Sequence, residues 1–158
     1  MGKSWIPFVS KKSELCAVVA GSPAVSYEHA KRGLGEDDGE WQSYKRYSTG
    51  YGLEGDQMKA YWDQYLANEK QGRNPLASPL RAPKYMLRGL PPVLLLRAEH
   101  EILWDEVSEM GQKIADAGQE VEEFQTKSCM HGTFAKGGKA CGVSSLEEVG
   151  RFLKRNCA

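Results

Sequence analysis

The 158-residue sequence has no excess of charge of either sign: 21 Lys and Arg stand against 21 Asp and Glu, a formal net charge of zero at pH 7. Without a basic field, nucleic acid and anionic membrane are poor candidates for partners. Long apolar runs are missing too. The longest lies around Pro91 to Leu96, far short of the roughly 20 residues that cross a bilayer, so no membrane span is expected. The opening Met1-Gly-Lys-Ser-Trp5 holds no apolar signal region, which makes a cytoplasmic location the expectation. Cysteine is sparse: Cys16, Cys129, Cys141 and Cys157 form no C-x-x-C pair, which speaks against a zinc site and against a dense disulfide framework. Reduced, structural thiols are therefore expected.

What is present fits one globular domain, with 41% hydrophobic and 27% charged residues. Met1 to Glu14 shows no period and reads as irregular. Leu15 to Ala20 is short, continuous and apolar and is closed by Gly21-Ser-Pro23, the pattern of a strand buried on both faces of a parallel sheet. The glycines and acids from Gly33 to Gly55 predict an irregular excursion with short helical turns. Asp56 to Asn68 predicts an amphipathic helix whose stripe is Met58, Tyr61, Trp62, Tyr65 and Leu66. Pro75, Pro79 and Pro83 then break regular structure, and Arg73 to Leu80 reads as an extended loop. Val93 to Leu96 is the second buried strand. Trp104 to Ala117 predicts a helix stopped by Gly118, Glu120 to Lys127 a third strand near an edge, and a capping-box spacing from Ser144 to Glu147 starts a C-terminal helix. Strand, excursion, strand, helix, strand, helix is α/β alternation on a mainly parallel sheet of about three strands with flanking helices. The first strand then needs a neighbour on its outer side that the sequence does not supply.

Ligands and reacting groups gather at the carboxyl ends of strands in such sheets. Two segments sit there: Ala98 to Glu106, rich in acids, and Ser128 to Phe134, with His131 followed by Gly132. An acid from the first and His131 from the second would meet on neighbouring strand ends, as two members of a nucleophile–histidine–acid triad. The plainer alternatives are a surface histidine and a solvated helix start, where acids favour the macrodipole. A metal site of His100, Glu101 and His131 has no recognised ligand spacing. The nucleophile is not found: Gly2-Lys-Ser4 and Gly142-Val-Ser144 begin a G-x-S-x-G elbow but continue into Ile6 and Leu146. Ser22 follows a strand, yet Pro23 removes the next backbone N–H, so Ser22 reads as a strand terminator.

Four stretches taken in order, Asn74-Pro-Leu-Ala-Ser-Pro-Leu80, Gly89-Leu-Pro-Pro-Val-Leu-Leu-Leu-Arg-Ala-Glu99, Glu101-Ile-Leu-Trp-Asp-Glu106 and Met130-His-Gly-Thr-Phe134, resemble the C-terminal half of α/β-hydrolases of the hormone-sensitive-lipase-like esterase family. The resemblance implies that Glu101 is the triad acid, with Asp105 as the alternative, and that His131 is the general base and acid. It implies that Asp105 and Glu106 orient their loop, and that Val18 to Pro23 is the strand after the nucleophile helix. Trp62, Tyr65 and Leu66 become lid residues walling the pocket. On this reading residues 1–158 form one partial domain: an irregular 1–14, a lid-like excursion at 24–88, and a strand-helix-strand-helix unit at 89–158. The glycine-rich oxyanion loop and the serine elbow of the family are absent, and Thr133 stands where the family often has Phe. The implied function is carboxylic ester hydrolysis without a metal or organic cofactor, acting on a small-molecule ester once an N-terminal half or partner supplies the serine. The alternative is an inactive fragment that binds a small molecule or a protein, or pairs with a second copy.

Overall fold

The computed structural model describes residues 15–33, 42–135 and 140–157. The expectations for Met1 to Glu14 and for the acidic cluster Glu36-Asp-Asp38 lie outside those residues. Three parallel strands make one sheet in the order β1 (Val18–Gly21), β2 (Val93–His100), β3 (Val121–Met130). Helices α1 (Tyr27–Gly33), α2 (Gln42–Arg46), α3 (Gly55–Tyr65), α4 (Glu69–Gly72) and α5 (Lys84–Leu87) fill the excursion between β1 and β2. Helix α6 (Trp104–Asp116) joins β2 to β3, and α7 (Ala140–Cys157) follows β3.

The central strand shows why an uninterrupted apolar run was needed. Val93 and Leu95 face a core with Val107, Met110 and Ile114 of α6 and Met58 and Trp62 of α3, while Leu94 and Leu96 face Phe152 of α7. Both faces are covered, and each buried aliphatic side chain contributes about 2 kcal/mol. Polar Arg97 to His100 continue the strand beyond the apolar run, toward the sheet's carboxyl end.

Several expectations are corrected. The first strand starts three residues later than Leu15, and Leu15 itself is exposed. Strand β1 pairs only with β2 among the described residues, so its outer edge is open and Val19 is half-exposed. The α3 stripe divides: Met58 and Trp62 are buried and Leu66 packs on the core, but Tyr61 and Tyr65 project into solvent. Arg73 to Leu80 is a set of tight turns leading into a 3-10 turn, with Asn74 O accepting from both Ala77 and Ser78 N–H. Helix α7 begins before Ser144, whose hydroxyl bonds back to the Cys141 carbonyl from inside the helix.

The cysteines are the largest correction. Cys16 pairs with Cys157 and Cys129 with Cys141, and no cysteine is free. Separations of 141 and 12 residues carry no local motif, so the pairing shows only once β1, β3 and α7 are packed. No helix among the described residues is long and apolar enough to cross a membrane.

Candidate active site

Strand β2 ends by delivering Glu101, and β3 ends by delivering His131. Glu101 is fully buried. Its Oε1 accepts from the Ala98 N–H at 3.0 Å, and its Oε2 lies 3.1 Å from His131 Nδ1. A carboxylate on Nδ1 fixes that nitrogen as the donor and leaves Nε2 as the basic one. The imidazole is a quarter exposed, so it can meet a reacting group while its acid cannot be reached by water. Among the described residues no hydroxyl hydrogen-bonds Nε2.

The backbone of His131 is held by a part of the lid-like excursion for which no contact with the histidine was expected. Its N–H donates to the Tyr51 carbonyl at 3.1 Å. Gly52, at φ 95°, runs so close that a Cβ there would stand 2.7 Å from the His131 carbonyl oxygen, which only glycine permits. Tyr47 and Tyr51 pack edge-on at 4.9 Å between ring centroids, and the His100 ring lies against both. The clustered tyrosines and glycines were the signal available in the sequence; their target was not.

The other proposed residues are placed differently. Asp105 does not reach His131; its Oδ2 accepts the Ser43 N–H at 2.8 Å and ties α6 to α2. Glu106 is fully buried, its Oε1 accepting from Val25 N–H at 2.6 Å and its Oε2 from the Tyr44 hydroxyl at 2.8 Å. Burial pushes its carboxyl up to about 8, against the pull of those donors. The same desolvation lowers buried His29 to about 4 despite nearby Asp105, which leaves its ring neutral at pH 7. Ser22 leaves β1 with φ 42°, its N–H on the Leu96 carbonyl at 2.8 Å and its hydroxyl buried without a partner. His100 is not joined to Glu101 or His131, and no group of three His, Cys, Asp or Glu among the described residues could hold a metal. Trp62 and Tyr65 line a cleft of about 340 Å³ with Met58 and Leu76; Glu101 and His131 are not part of its wall.

Comparison with known proteins adds to this geometry. Residues 11–135 match a family described by the alpha/beta hydrolase fold. Among solved structures, the chain is similar to an esterase named rPPE in complex with (S)-Ac-CPA, with a TM-score of 0.81 and 26% identity over 92% of this chain and 44% of that one. A thermostable esterase from Pseudomonas putida shares 31% identity at a TM-score of 0.62, over 72% of this chain and 32% of its own. Brefeldin A esterase, a bacterial homologue of human hormone sensitive lipase, shares the fold, with a TM-score of 0.71 at 24% identity over 87% of this chain and 38% of its own. A curated relative, vegetative-specific protein H5 of Dictyostelium discoideum, is 29% identical over 93 residues, 59% of this chain and 28% of that protein. The chain spans less than half the length of each of these proteins.

Proposed function

The chain belongs to the alpha/beta hydrolase fold family, and from that premise we propose that it supplies the acid and the base of a carboxylic ester hydrolase whose serine lies outside these residues. The observation that carries the reading is the buried Glu101 carboxylate on Nδ1 of a partly exposed His131. In the proposed reaction His131 Nε2 takes the proton of the serine hydroxyl as it attacks the ester carbonyl. It then returns that proton to the departing alcohol, while Glu101 stabilises the imidazolium between the two steps. No cofactor enters these steps. The open edge of β1 is where a serine-bearing segment, on this or another chain, would continue the sheet. The described residues between β1 and β2 would then cap the site, with Trp62 and Leu66 packed inward and Tyr65 outward. The two disulfides favour an oxidising compartment over the cytoplasm.

The test is hydrolysis of p-nitrophenyl acetate by the chain alone and by the chain fused behind the serine-bearing half of one of the similar esterases. Saturable turnover only in the fusion, lost on His131→Ala, is the expected result. A fusion whose turnover survives His131→Ala contradicts the reading.

A further inference from the structure

We propose that the Cys129–Cys141 disulfide is the positioning element that keeps His131 on Glu101, an inference that rests on the functional reading above. Ala98 of β2 faces Thr126 of β3, but His100 faces Met130, so two steps along β2 are matched by four along β3. The surplus residues form a bulge, the device by which a strand re-aims the side chain that follows it. His131 is the first residue beyond the Met130 pairing.

The bulge is not a conformation the chain adopts unaided. Ser128 within it has φ 54°, left-handed backbone that a residue with a side chain holds only when its surroundings impose it. Two contacts impose it. The Ser128 N–H donates to Glu99 Oε2 at 2.6 Å, an exposed bond that water can replace. The second is covalent: buried Cys129 is joined to Cys141 at the start of α7, 12 residues along the chain.

Helix α7 gives that anchor a fixed point. Its buried residues are Gly142, Ser145 and Phe152, and partly buried Val149 packs beside Phe152 against the sheet. Its far end is tied to the residues before β1 by Cys16–Cys157. One cross-link therefore sits at each end of the helix, and the one at its start lies two residues from the imidazole. Independently of the cross-link, the Tyr51 carbonyl holds the His131 N–H. The ring meets Glu101 where the two constraints converge.

The probe is the imidazole of His131, read by long-range ¹H–¹⁵N spectra of the full chain at a pH where the ring is neutral. Intact protein is expected to show the Nδ1–H tautomer, and Glu101→Gln to lose its preference. A chain in which Cys129 and Cys141 are both Ser is expected to lower the ratio of Nδ1–H to Nε2–H about tenfold, the scale one charge-assisted hydrogen bond sets. Cys16→Ser with Cys157→Ser is expected to leave the ratio unchanged. That second variant also keeps the test open if the first does not fold. Its single remaining bond can be opened with dithiothreitol, which is oxidised to its cyclic disulfide as each sulfur gains a proton, while amide spectra report that the fold persists. A tautomer ratio that tracks opening and returns on reoxidation supports the proposal. A ratio that stays put while the bond opens overturns it. Absence of the Nδ1–H preference in the intact protein overturns the functional reading instead, so the two failures are distinct.

Discussion

Two glutamates five residues apart, Glu101 and Glu106, are both fully buried, and each accepts a backbone N–H with one oxygen. They differ in what the other oxygen meets. Glu101 meets a partly exposed imidazole, whereas Glu106 meets the hydroxyl of Tyr44, itself buried and raised well above its ordinary range by desolvation. The first arrangement leaves an imidazole open to solvent; the second closes on itself. On the proposed reading, burial alone does not mark the chemical acid, and the exposure of its partner does.

The two glutamates and their partners are expected to respond differently to substitution. The largest effect is expected at His131: in a serine-complemented protein, His131→Ala lowers kcat by about 10⁴-fold or more, since the general base is removed outright. Steady-state hydrolysis of a short acyl ester measures it.

Stability distinguishes the two acids in the opposite sense. Glu106→Ala leaves the Val25 N–H and the Tyr44 hydroxyl without acceptors and opens a cavity, an expected loss of about 3 kcal/mol in urea unfolding. His131→Ala removes only a partly exposed ring and is expected to cost about 1 kcal/mol.

The pH dependence sharpens the contrast. Glu106 ionises near its ordinary value of 4.5 when unfolded but at about 8 when folded, so the folded state retains a proton that the unfolded state has lost. Stability from this group is full below 4.5 and falls as pH rises to 8. His29, lowered from 6.5 to about 4, acts in reverse: its contribution is present above pH 6.5 and is lost as pH falls toward 4. Between 4.5 and 6.5 the two slopes oppose each other, and from 6.5 to 8 the Glu106 slope stands alone. Thermal unfolding midpoints are expected to drop across that upper window and to flatten in Glu106→Gln, whose amide can still pair with the Tyr44 hydroxyl. A slope unchanged in that variant contradicts the assignment.

The smallest effect is expected at Asp105. Asp105→Asn keeps an oxygen for the Ser43 N–H and is expected to cost under about 1 kcal/mol with kcat unchanged. A large fall in kcat there would mean that Asp105, not Glu101, serves the histidine.

The sheet was legible in the sequence where both faces of a strand are buried, because Val93 to Leu96 leaves no polar position. It was less so at β1, whose apolar letters promise burial that one neighbour does not deliver. Helix α6 announced its glycine stop, with Gly118 at φ 77°. Glu106 looked like any acid in the first turn of a helix; Tyr44 and Val25, which bury it, come from 62 and 81 residues upstream. The cysteine pairs and the Tyr51–Gly52 strap over His131 were hidden for the same reason. Each is a contact between segments whose approach is set by packing, with no periodicity or spacing to betray it.

The most direct measurement is kcat of the serine-complemented protein with Glu101→Gln and with Glu106→Gln, side by side. Loss of the carboxylate on Nδ1 is expected to lower kcat by about 10⁴-fold, the scale set by comparable triad acids, while Glu106→Gln leaves it within about twofold at a pH where both variants are folded. Equal turnover in the two variants would contradict the account.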